Sequence, residues 1–102
     1  MRIIKPTRVR EFGRRYPAAA PSLEHWLEAA RAAHWRNLVD VRRVFRSADE
    51  VKVGSGRTVV VFNIAGNRYR LITAIHYNLE KVFVLMLLHH AEYGKDRWKD
   101  VL

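Results

Sequence analysis

The stretch Val59-Val60-Val61-Phe62-Asn63-Ile64-Ala65-Gly66-Asn67-Arg68-Tyr69-Arg70-Leu71-Ile72-Thr73-Ala74 leaves the backbone few choices. β-Branched and aromatic residues fill both arms, and Ala65-Gly66-Asn67 is a turn between them, the pattern of a β-hairpin. The next apolar run, Val82-Phe83-Val84-Leu85-Met86-Leu87-Leu88, falls well short of the ~20 apolar residues of a membrane span. It reads as a buried central strand. Strands are therefore expected near 58–64, 68–76 and 81–89, with His76 to Lys81 as the second turn. Ala48 to Val53 predicts one more strand, closed by the turn Gly54-Ser55-Gly56.

Helices are expected before this meander. Arg2-Ile3-Ile4-Lys5 is a short first strand that Pro6 stops. Thr7 is placed to cap a helix whose apolar positions, Val9, Phe12 and Tyr16, lie three and four apart. Pro17-Ala18-Ala19-Ala20-Pro21 reads as a break, after which Ser22 is placed to cap a second helix. Leu23, Trp26, Leu27, Ala30, Ala33 and His34 give it an apolar face. Leu38, Val41 and Phe45 are spaced for a short third helix, and residues 90–99 for a short polar helix or turn. The order β-α-α-(α)-β-β-β-β-α, with helices gathered before a meander, means an α+β fold in a single domain over residues 1–102.

The charge narrows the partner. Lys and Arg outnumber Asp and Glu by 19 to 10, a net +9, and both halves of the chain share the excess. A small domain so basic favours a polyanion, nucleic acid first. With no cysteine, disulfide frameworks and thiolate zinc sites are excluded, in keeping with a cytoplasmic protein. No signal peptide is recognisable at the N-terminus, and no membrane partner is expected.

Phe62-Asn63, Gly66-Asn67, Tyr69-Arg70-Leu71-Ile72, the apolar strand and then His90-Ala91-Glu92-Tyr93 follow one another at a spacing that resembles the HigB family of bacterial toxins. Val44-Phe45-Arg46-Ser47-Ala48-Asp49 is also similar to that family, so the likeness spans roughly residues 35–99. The resemblance implies a RelE-like fold, a small twisted antiparallel sheet with the N-terminal helices on one face. It also implies ribosome-dependent endonucleolytic cleavage of mRNA. The implied partner is a HigA-type helix-turn-helix antitoxin, and operator DNA would be bound only through the toxin–antitoxin complex. One departure is Leu85, which aligns where members of the family often carry an arginine; another is His89, where threonine is frequent.

Cleavage of RNA by its own 2′-hydroxyl needs a base, an acid and donors that hold charge on the phosphorane, with no metal or other cofactor. Arg70 is the first candidate for phosphate, because a guanidinium stays charged and forks onto two oxygens. Arg68, two residues earlier on the expected strand, would leave the same face. His90 is the first candidate for proton transfer, since an unperturbed imidazole titrates near pH ~6.5, and His89 competes with it. Tyr93 could stack on a base or donate a proton. Lys95, Arg97 and Lys99 form a basic terminus suited to RNA backbone. Arg43 belongs to a group of N-terminal arginines that could face rRNA or antitoxin. Glu92 is read as orienting a histidine or capping a helix, and Trp26, Trp35 and Trp98 as packing. The rival readings are a non-catalytic RNA-binding module and an inactive toxin relic that acts only with its antitoxin.

Overall fold

The computed structural model describes residues 1–102. The elements run β1 (Arg2–Ile4), α1 (Pro6–Arg15), α2 (Ala20–Ala32), α3 (Leu38–Val44), β2 (Asp49–Lys52), β3 (Thr58–Ile64), β4 (Tyr69–His76), β5 (Lys81–His89) and α4 (His90–Gly94). Short 3₁₀ turns occupy Pro17–Ala19, Tyr77–Leu79 and Arg97–Asp100. This is the α+β order that the patterning predicts. No helix is long and apolar enough to cross a membrane.

The five strands lie in the order β1-β5-β4-β3-β2. Strands β2 to β5 pair antiparallel, as a hairpin meander must. β1 pairs parallel with β5, Ile3 beside Val82, so the sheet is mixed where a wholly antiparallel one is expected. Three helices separate β1 from the meander, and no tight turn dictates its direction.

Each face of the sheet has its own cover. Val60, Phe62, Ile64, Leu71, Val82, Val84 and Leu87 meet Val9, Leu23, Trp26, Leu27, Ala30 and Val41 of the helices. Phe62 is the hub: Trp26 and Phe45 meet it edge-on at 5.5 and 5.2 Å, and Trp35 stacks on it at 6.1 Å. On the other face Val53, Val59, Val61 and Ile72 pack against Trp98 of the last 3₁₀ turn. β3 is thus buried on both sides, which is why Val59 to Phe62 reads as an unbroken apolar run without alternation.

A bulge in β5 sets what lies beyond it. Ile72 opposes Met86 while Thr73 opposes Val84, leaving Leu85 as the extra residue. Val84 and Leu87 face the helices, whereas Leu85 and Met86 both pack with the Trp98 cluster. The alternation is reset, and it brings His89 to the helix side beside Tyr69.

Three local readings need correction. α1 starts at Pro6, so Thr7 lies inside it; Pro is well placed in the first turn, where its missing N–H costs nothing. The expected break at residues 17–21 is a 3₁₀ turn that runs straight into α2, which starts before Ser22. The Ser22 hydroxyl instead accepts the Ala65 amide at 2.9 Å, fastening α2 to a turn residue held at φ 54°. His34 lies beyond the end of α2 and pairs with Glu80 at 3.2 Å. A true cap the sequence reading missed is Asn37, whose Oδ1 accepts from the Asp40 amide at 3.0 Å to start α3.

Candidate functional site

The candidate residues lie around the end of the sheet where the β3–β4 turn meets the end of β5, Arg70 and Tyr93 on the Trp98 face and the His89–His90 pair beside Tyr69 on the helix face. Residues 65–68 form the turn and β4 begins at Tyr69, so Arg68 is not on the strand and strand alternation does not align it with Arg70. Arg68 is exposed, and its carbonyl accepts the His90 amide at 2.8 Å, which stitches the turn to the start of α4.

Arg70 does lie on β4, between Asn63 and Leu88. Its guanidinium curls back: Nη1 donates to the Asn67 and Tyr69 carbonyls at 3.1 and 3.2 Å, and Nη2 to Asn67 Oδ1 at 2.6 Å. These acceptors are all neutral, so they fix the group without cancelling its charge. A guanidinium has five N–H donors, so two remain for an incoming anion.

The same guanidinium lies 5.5 Å from the centre of the Tyr93 ring. Trp98 stacks on Tyr93, 5.2 Å away and 19° from parallel, and its Nε1–H donates to the Tyr93 carbonyl at 3.0 Å. Lys99 Nζ lies 5.8 Å from the Trp98 ring. Two cations therefore bracket two rings in one stack. Burial pushes the Tyr93 phenol up from its ordinary value, the Asp49 carboxylate adds to the effect, and Lys99 and Arg70 oppose it. The phenol keeps its proton and is a donor.

The two histidines differ in their bonding. His89 Nδ1 accepts from the Ala91 amide at 3.3 Å, so His89 is the N-cap of α4. An accepting ring nitrogen carries no proton, which assigns the remaining one to Nε2. His90 is exposed, its ring is 4.5 Å from that of His89, and neither ring nitrogen has a protein partner. Of the pair, His90 has both nitrogens open for proton exchange.

The basic residues divide. Lys95 pairs with Glu92 and Lys99 with Asp96, each at 3.2 Å, while Arg97 is exposed. Glu92 thus serves Lys95 and not a histidine. Arg43 lies on α3, 3.5 Å from Asp40, in a shallow pocket shared with Tyr77, Asn78 and Glu80. That pocket adjoins the far end of β4, a strand length of ~20–25 Å from Arg70, so Arg43 does not join the others. Leu85 adds no cation; with Val53, Val59, Ala74, Phe83 and Leu102 it lines an open apolar groove. No cluster of His, Asp and Glu is arranged to hold a metal ion.

Sequence reasoning missed two contributors. Asn67, in sequence a turn residue and part of the family-like motif, holds Arg70; a polar side chain three residues before the arginine is the available signal. Asp49, distant in sequence on edge strand β2, acts on Tyr93 through its charge alone, and nothing local announces it.

No curated protein matches the sequence. The family description of HigB toxins, the RelE-like toxic component of a toxin–antitoxin system, matches residues 19–96, from the start of α2 past the end of α4. With the α+β fold and its helix-covered five-stranded sheet, that match over most of the chain places the protein in the HigB family of RelE-like toxins.

Proposed function

We propose that this toxin is a metal-independent, ribosome-dependent mRNA endoribonuclease of the cytoplasm, neutralised by a HigA-type helix-turn-helix antitoxin through which alone it would reach operator DNA. The observation that carries the reading is the Arg70–Tyr93 pair, a guanidinium anchored only by neutral acceptors against a phenol that keeps its proton. The imidazole of His90 opens at the same end of the sheet. In the proposed reaction His90 takes the proton from the 2′-hydroxyl, whose oxygen attacks phosphorus. Arg70 holds the charge on the phosphorane with its two free donors. Tyr93 gives its proton to the departing 5′-oxygen, leaving a 2′,3′-cyclic phosphate and a 5′-hydroxyl. His89 supports the group as cap and neighbour, and Arg68, Lys95, Arg97 and Lys99 hold the RNA backbone. The ribosome supplies the in-line geometry that few base-reading side chains here could impose.

The test is brief induction followed by primer extension on cellular mRNA. Arg70→Ala is expected to abolish cleavage and growth inhibition while the protein stays folded. Full toxicity from soluble, folded Arg70→Ala would reject this site. The apolar Leu85 favours a second reading, an inactive relic. Its mark is tight antitoxin binding by the unaltered chain with no cleavage product and no effect on growth.

A further inference from the structure

A row of side chains runs from the two histidines of the proposed reaction to the end of α1. The Arg15 guanidinium lies 5.5 Å from the Tyr16 ring, at the end of α1. Tyr16 meets Tyr69 at 5.3 Å, Tyr69 meets His89 at 5.7 Å, and His89 meets His90 at 4.5 Å. Five side chains from α1, β4, β5 and α4 thus form one continuous row. Tyr16 and Tyr69 are half-buried, His89, His90 and Arg15 are exposed, and the backbone carbonyl of exposed Arg68 accepts the His90 amide. Tyr16 and Tyr69 pack against the helix-side core, while the row continues beyond it at both ends to exposed side chains. Aromatic rings in succession, at 50°, 87° and 37° to one another and with an arginine over one end, match the platforms on which successive bases of a single strand stack.

We infer that this row is a binding track for single-stranded RNA, leading from His90 across the sheet end to Tyr16 and Arg15 on α1. It deepens the proposed function by giving the RNA flanking the cut a path, and it rests on that reading only for its biological setting. The track binds through ring faces, so it accepts any base, and Arg15 supplies a phosphate contact where it ends. α1 lies outside the residues the family description matches, so this half of the track belongs to this chain's own N-terminal part.

The experiment uses the whole protein without ribosomes and a fluorescent 2′-O-methyl oligouridine that cannot be cleaved. Binding is read by anisotropy. Tyr16→Leu keeps an apolar side chain on the core but removes the ring, and is expected to weaken binding about 5- to 150-fold at every salt concentration. Tyr16→Phe is expected to restore it. Arg15→Gln is expected to flatten the log–log salt dependence by about 0.7. Photo-crosslinking of the unaltered protein to a thiouridine-bearing strand reads the same contacts without a variant, with adducts expected on Tyr16, Tyr69 or His89. No binding by the unaltered protein overturns the track. So does unchanged affinity in folded Tyr16→Leu with adducts confined to residues 93–102. If Tyr16→Leu instead weakens only the antitoxin complex, the row is a protein interface and the inference fails. Because no cutting is measured, loss of the track and loss of the proposed nuclease are separable results.

Discussion

At the scale of single residues, the proposed reaction divides labour between the fixed charge of Arg70 and the retained proton of Tyr93. Tyr93→Phe keeps the ring against Arg70 and Trp98 but removes the hydroxyl. It is expected to lower ribosome-dependent cleavage by about 10²–10⁴, read by primer extension, with the fold intact. The raised phenol also has a thermodynamic signature. A phenol whose folded value lies above its unfolded one contributes stability that is full below pH ~10 and is lost as pH rises through the folded value. Tyr77 is raised too, mainly by burial, so the comparison must be between the unaltered protein and Tyr93→Phe. The variant is expected to lose less stability in alkaline urea titrations. Arg70 and Tyr93 were legible as candidates because one sits on a regular strand and the other in a short motif. Arg68 was misplaced because the turn consumes one residue more than alternation assumes. The separation of His89 from His90 was invisible, since it depends on which ring meets the Ala91 amide.

At the scale of elements, the site is held by fastenings between segments distant in sequence. Ser22→Ala leaves the Ala65 amide without its partner and is expected to cost about 1 kcal/mol, measured by urea unfolding. The Arg97–Asp100 turn crosses the second sheet face and is fixed at Gly54, whose amide donates to the Lys99 carbonyl at 2.9 Å. A Cβ on Gly54 would stand 3.0 Å from that same oxygen. Gly54→Ala is therefore expected to loosen the turn and expose Trp98, seen as a red-shifted emission component that disappears when Trp98→Phe is added. Strand positions were readable because β-branched runs and glycine turns carry that information locally. The starts of α1 and α2 were not: Thr7 and Ser22 have the chemistry of caps, but prolines just before them are tolerated in a first turn and let each helix begin earlier.

At the scale of the whole molecule, a large core on the helix side and a smaller one under Trp98 share a single sheet. Phe62 joins three aromatic neighbours in the larger core and is 1 % exposed. Phe62→Ala is expected to cost about 3–5 kcal/mol in equilibrium unfolding, enough to threaten a domain of this size. The order of patterned segments announces the α+β class and composition the basic character, but neither announces the mixed sheet, because the direction of β1 is settled by three helices of packing rather than by any turn beside it.

The parallel pairing of β1 with β5 also has a consequence in time. Arg2 to Ile4 leave the ribosome well before their neighbours Lys81 to Phe83. The β1 edge of the sheet cannot close until β5 has been made. The first strand therefore waits unpaired while three helices and three strands are made, and the sheet is completed only when β5 emerges.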